Sequence, residues 1–246
     1  MLRIEGWDEP STVRLMDEIA LYRRSKQRMT DVVRSLSDDE LATRCPACPA
    51  WSIRDVVAHH VHFAGAFVDG AVPAEASQGF VAVDAATRSA AGVVRDEWTE
   101  AGVEERRGMS LDEVLDEWKG VVKRIGPGAL AVVFDSIVHL GDVVEALGDR
   151  RGVDTELAEY AIHTCYERAL TGRLLVLGEM VVLSCAETGI RIGTYPTAVE
   201  VRGSTNELLR TLAGRRTRDE ADAALDWGST SDELRDRFPV YGWPSE

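Results

Sequence analysis

The chain has 246 residues, 45% hydrophobic and 28% charged, a balance that fits a soluble globular protein and excludes disordered or fibrous classes. Its 42 acidic residues outnumber 28 Lys and Arg, for a formal net charge of -14. That sign argues against nucleic acid as a partner, because binders of phosphate backbones present clustered basic side chains.

The first residues, Met1-Leu2-Arg3-Ile4-Glu5-Gly6-Trp7-Asp8, lack the apolar core of a secretory signal. No later stretch approaches about 18 uninterrupted apolar residues, so a cytoplasmic protein without a membrane partner is expected. From Ser11 to about Ser35, Val13, Met16, Ile19 and Ala20, then Met29, Val32 and Val33, recur at helical spacing and predict a long amphipathic helix. Asp38-Asp39-Glu40 reads as solvated surface. Cys45-Pro46-Ala47-Cys48-Pro49-Ala50 reads as a turn-rich connector. Ser52 with Asp55 three residues on is a capping-box start for a second helix to about Asp69. Residues 70–108 are mixed, with a short helix expected around Val93–Thr99. Ser110 opens a helix that stops near Gly126-Pro127-Gly128, and an unusually apolar helix follows from about Ala129 to Leu147, ending at Gly148. Its greasiness predicts a central place in a bundle. One more helix spans Asp154 to about Leu177. The period then changes to strands at 181–185, 189–192 and 198–201, with Gly189, Thr194 and Pro196 as turn residues. A helix at 206–213, a strand at 224–227 and a helix at 231–238 complete the chain. The expected architecture is mainly α, a helical bundle over residues 1–178 with a small α+β domain over 179–246.

The four cysteines, Cys45, Cys48, Cys165 and Cys185, are too few and scattered for a disulfide framework, and reduced thiols are expected. Cys45 and Cys48 form a C-x-x-C with no second pair or well-spaced His to complete a zinc site, and read as a plain loop pair. Basic residues are nearly all Arg, with only Lys26, Lys119 and Lys123 as lysines, a bias that hints at a GC-rich genome.

Three of the five histidines, His59, His60 and His62, fall in one predicted helix. His59 and His62 share a face with Asp55, whereas His60 is rotated by about one hundred degrees and should point elsewhere, so at most two of the three can serve one site. On the apolar helix Asp135, His139 and Asp142 stand four and three apart and emerge on one side. A buried carboxylate and imidazole are costly unless paired, protonated or bound to metal. The Asp and His at i and i+4 can offer two donors to one cation, and an imidazole from the second helix would make a three-ligand set with open positions. The same spacing suits an ordinary buried hydrogen-bonded pair. Asp142 reads as a helix-end residue or as a partner standing behind a ligand, and His163 as a surface or core residue.

The run Cys48-Pro49-Ala50-Trp51-Ser52-Ile53-Arg54-Asp55-Val56-Val57-Ala58-His59 resembles the W-[ST]-[VI]-R-D-[VL]-[VL]-A-H signature of the mycothiol-dependent maleylpyruvate isomerase family, within the DinB-like superfamily. Asp135-Ser136-Ile137-Val138-His139-Leu140-Gly141-Asp142, followed by Ala146-Leu147-Gly148, is similar to its second signature, D-x-x-x-H-x-x-D and A-L-G. The resemblance implies a DinB-like four-helix bundle and a metal, zinc or another divalent cation, held by His59, Asp135 and His139. Some members carry Glu at the position of Asp135, whose shorter arm bears on metal choice. Leu208 to Arg215 is similar to the helix ending in G-R of the family's second domain, which implies a catalytic and cofactor-binding role for Arg215, with Arg216 as the neighbouring candidate. A helix C-terminal Arg answering the dipole accounts for the same residues. The family further implies mycothiol as cofactor, a small electrophile as substrate, and S-transfer or cis-trans isomerisation as outcome, by a monomer or homodimer. A metal-dependent hydrolase, with only Asp55 and Asp142 as candidate bases, and a non-catalytic binding protein are the rival readings.

Overall fold

A computed structural model describes residues 17–82, 84–149, 152–193 and 198–244. The turns expected from Ser11 to Met16, and the turn residues Thr194 and Pro196, lie outside them.

The elements in chain order are α1 (Glu18–Arg34), α2 (Asp38–Leu41), β1 (Arg44–Cys45), β2 (Cys48–Ser52), α3 (Ile53–Asp69), α4 (Ala74–Val81), α5 (Ala85–Glu104), α6 (Leu111–Val122), α7 (Leu130–Ala146) and α8 (Thr155–Cys165). A π-helical turn at Tyr166–Leu170 leads into α9 (Thr171–Leu177), followed by β3 (Val181–Cys185), β4 (Arg191–Ile192), β5 (Val199–Gly203), α10 (Thr205–Leu212), α11 (Arg218–Ala224) and α12 (Asp232–Arg237). The architecture is mainly α, as expected. α7 packs between α1 and α3, and α3 also touches α5 and α6. The apolar composition of α7 explains its place, since every residue from Ser136 to Val144 is buried. Among the described residues no helix is long and apolar enough to cross a membrane.

The capping boxes read from sequence form. Ser52 Oγ accepts from Asp55 N at 3.2 Å while Asp55 Oδ2 accepts from Ser52 N at 2.9 Å, and Ser110 with Glu113 does the same for α6. These caps satisfy first-turn donors and fix where α3 begins, hence the direction in which its histidines project.

Three local expectations are corrected. The connector at 45–50 is a hairpin, β1 antiparallel to β2. The short helix at 93–99 is the middle of the 20-residue α5, capped by Asp84, which accepts from Thr87 N at 2.8 Å. Its first half is built from alanines that favour helix but carry no apolar period. It docks on α3 through Gly102, where a Cβ would overlap the His62 ring. The expected strand at 224–227 reduces to one bridging residue, Asp226, which exchanges two 2.8 Å bonds with Arg202.

The small sheet has the order β4-β3-β5, antiparallel on one side and parallel on the other. All five residues of β3 are buried, as a central strand covered on both faces requires. α10 packs on α8 and α7, and one apolar cluster runs from Leu21 on α1 to Val240 near the C-terminus.

Candidate metal centre

His59 stands nearly two turns into α3, and Asp135 and His139 stand one turn apart on the facing side of α7. His59 Nε2 lies 3.5 Å from Asp135 Oδ1, and His139 Nε2 lies 3.4 Å from the same oxygen. The three residues offer ligand atoms all within 4.8 Å of one another. Both separations exceed the roughly 2.9 Å of a good N–H···O bond. They match the spacing of two donors sharing one tetrahedral cation, which at bond lengths of about 2.0–2.1 Å is roughly 3.3–3.4 Å. The residues present therefore fit a divalent cation, with two nitrogens and one oxygen as the donor set. His59 and His139 are nearly buried, while the Asp135 side chain is 18% exposed, so solvent reaches the trio from the carboxylate side.

Each donor is held differently. Asp135 Oδ2 accepts from His60 Nδ1 at 2.6 Å, and His60 Nε2 lies 3.2 Å from the Tyr22 hydroxyl. Trp118 Nε1 donates to that hydroxyl oxygen at 2.7 Å. An indole nitrogen only donates, so the Tyr22 proton goes to His60 Nε2 and leaves Nδ1 protonated toward Asp135. His139 Nδ1 donates to Asp142 Oδ2 at 2.8 Å, which leaves Nε2 facing the other two donors. His59 has no such prop. Its Nδ1 has no hydrogen-bond partner among the described residues, and the ring is held instead by Trp51, with centroids 4.7 Å apart, and by Phe63, parallel at 6.5 Å. Trp51 is itself fixed by its Nε1 donating to Glu100 of α5 at 2.7 Å.

Asp142 is fully buried and gathers the C-terminal residues onto the centre. Its Oδ1 accepts from Arg210 Nη1 at 2.6 Å, and its Oδ2 lies 3.4 Å from Arg215 Nη2 and 3.9 Å from Cys48 Sγ. Arg210 also reaches Glu145 at 2.5 Å. Arg216 pairs with Glu145 and Glu207 at 2.8 and 2.7 Å and does not approach Asp142. Gly214 has φ 68, and a Cβ there would stand 2.7 Å from the Gly242 carbonyl, so only glycine turns the chain here and brings Arg215 back to Asp142.

The electrostatics follow from burial and pairing. Burial pushes the His59 imidazole down to about 4, against the pull of Asp135. Burial also opposes charge on His139, but Asp135 and Asp142 outweigh it and raise the imidazole to about 9. The Asp135 and Asp142 carboxyls would rise with burial, yet His139 and His59 hold the first, and Arg215 and Arg210 the second, well below the usual carboxylate range. For Arg215 burial is again the largest effect, and Asp142 more than offsets it.

Sequence reasoning placed His59, Asp135 and His139 in one group, and the fold brings them together. Asp142 stands behind His139, and Arg215, but not Arg216, adjoins it. The limit of two useful histidines on α3 holds, but His60 is the second, turned toward Tyr22 and still bonded to Asp135. His62 leaves the centre and lies against Trp98, centroids 4.6 Å apart. Tyr22, Trp118 and Arg210 were missed. Arg210 carried a readable signal, a lone charge inside Leu208-Leu209-Arg210-Thr211-Leu212, the same anomaly that singled out Asp135 on α7.

A family model, the mycothiol maleylpyruvate isomerase N-terminal domain, matches residues 22–163, which hold all three candidate ligands. The chain belongs to this family. A crystal structure of the mycothiol-dependent maleylpyruvate isomerase is similar to this family member at 14% identity and TM-score 0.48, and one of a single-site mutant of that enzyme at 15% and 0.47. Each covers 87% of this chain and 94% of its own. A comparison with curated proteins returned no match.

Proposed function

We propose that the chain is a metal- and thiol-dependent enzyme in which His59, Asp135 and His139 hold a divalent cation, zinc by its donor set, and a small-molecule thiol reacts there with an electrophile. The observation that carries this reading is the convergence of His59 Nε2 and His139 Nε2 on Asp135 Oδ1 at 3.5 and 3.4 Å. A cation with two neutral imidazoles and one carboxylate keeps net positive charge and would ease loss of a thiol proton near neutral pH.

The protein's own groups supply the rest. Trp51 covers His59 and keeps bulk water from that side of the trio. Asp142 holds the His139 tautomer, and His60 holds the Asp135 carboxylate. Arg215, whose Nε is buried without a partner among the described residues, has donor capacity left for a carboxylate or for the polar groups of the thiol cofactor. In this reading residues 1–178 bring the metal ligands and residues 179–246 bring the arginine. Family membership favours mycothiol as the thiol. The same adduct explains either outcome. Release of the adduct is S-transfer, and bond rotation followed by thiol departure is maleylpyruvate-type cis-trans isomerisation.

A hydrolase needs a free base near the cation. Asp55 spends Oδ2 on the α3 cap and turns Oδ1 to Arg107 at 3.5 Å, and Asp142 is taken by Arg210 and His139, so neither candidate base is free. The test is to incubate the zinc-loaded protein with mycothiol and a panel of electrophiles that includes maleylpyruvate. Mycothiol consumption, or isomerisation that requires mycothiol, supports the proposal. Metal-dependent hydrolysis indifferent to mycothiol overturns it.

A further inference from the structure

Cys45 and Cys48 have no part in the chemistry above, yet the hairpin sets them beside the centre. We propose that they form an oxidisable dithiol, a modification site at which hydrogen peroxide converts the two thiols into an intramolecular disulfide.

The geometry comes from the hairpin itself. Cys45 and Cys48 are cross-strand partners in the β1–β2 pair. Opposed residues of an antiparallel pair have Cα atoms about 4.5–5.5 Å apart. A disulfide needs roughly 4.4–6.8 Å, so cross-strand pairing sets the two cysteines within the span of one. No such opposition exists for the other two cysteines, Cys165 at the end of α8 and Cys185 at the end of β3, which are buried in separate elements.

Exposure assigns the roles. Cys48 is half-buried and Cys45 is fully buried, so peroxide reaches Cys48 first and Cys45 acts as the resolving thiol. Cys48 sulfur attacks one peroxide oxygen, the O–O bond breaks, and Cys48 becomes a sulfenic acid while the other oxygen leaves as water. Cys45 sulfur then attacks Cys48 sulfur, the S–O bond breaks, and a second water departs. Two sulfurs are oxidised, both peroxide oxygens are reduced, and the two thiol protons leave in the two waters. The neighbouring Cys45, burial and Asp142 push the Cys48 thiol up, with Arg215 opposing, so little thiolate is present and the reaction needs peroxide in excess rather than in trace. The site adjoins the candidate centre through the 3.9 Å approach of Cys48 Sγ to Asp142. The inference does not depend on whether a cation binds there.

The test uses the full chain, reduced, desalted and exposed to excess hydrogen peroxide, then denatured, alkylated and mapped by mass spectrometry without reductant. The expected result is that the peptide carrying Cys45 and Cys48 loses two hydrogens and both alkylation sites. Cys165 and Cys185 remain alkylated, dithiothreitol restores all four thiols, and Cys48→Ser leaves Cys45 alkylated. Cys48 carrying two added oxygens beside an alkylated Cys45, or both thiols intact under peroxide that oxidises a free-cysteine control, overturns the proposal.

Discussion

The two donors that α7 contributes are held by opposite means. Asp135 is propped by a neutral chain, Trp118 to Tyr22 to His60, drawn from α6, α1 and α3 of the bundle. His139 is propped by a charged one, Asp142 backed by Arg210, Arg215 and Glu145, whose two arginines come from beyond β5. A carboxylate donor keeps its negative charge for a cation if its support brings no countercharge. An imidazole donor gains basicity from a carboxylate behind it, and that buried carboxylate then needs guanidinium groups to offset its own desolvation.

Removing a donor tests the comparison most strongly. Asp135→Ala or His139→Ala is expected to abolish stoichiometric zinc retention, read by elemental analysis after gel filtration. On the charged side, Asp142→Asn leaves Glu145 as the carboxylate facing Arg210 and is expected to cost about 3 kcal/mol in urea unfolding. It should also weaken zinc binding about 10- to 100-fold in a chelator competition. On the neutral side, Tyr22→Phe strands the Trp118 N–H and His60 Nε2. Its expected cost is smaller, about 1–3 kcal/mol, with zinc affinity down roughly tenfold. An equal or larger loss for Tyr22→Phe than for Asp142→Asn would break the contrast between the two sides. The remaining two substitutions lie on α5, which carries Glu100 to Trp51. Gly102→Ala should destabilise by about 1–3 kcal/mol because the methyl meets the His62 ring. Gly92→Ala, where only the end of the Arg95 side chain lies near, should stabilise by about 0.5–1 kcal/mol in thermal unfolding.

What could be read from sequence was whatever contradicts its own surroundings. Asp135 and His139 stood out as polar groups on an apolar helix, and Ser52 with Asp55 as a cap before an apolar run. α5 stayed hidden because Ala85, Ala86, Ala90 and Ala91 set no apolar period, and its docking rests on the missing side chain of Gly102 against His62. The supports of the centre stayed hidden for another reason. Tyr22, Trp118 and Arg210 lie 113, 17 and 75 positions from Asp135 in the chain and reach the centre only through packing of α1, α6 and α10 on α3 and α7. The helical rotation that predicts His60 pointing elsewhere fails at Asp135. His60 Nδ1 reaches the second oxygen of Asp135 because a carboxylate can be approached from two sides.

The most direct test of the central claim is the zinc content of the purified protein beside that of His59→Ala, the one donor with no hydrogen bond behind it, with folding of both checked by circular dichroism. Equimolar zinc in the natural chain and its loss from the folded variant is the predicted result. Equimolar zinc retained by His59→Ala, or none in the natural chain after zinc loading, would contradict a cation shared by α3 and α7.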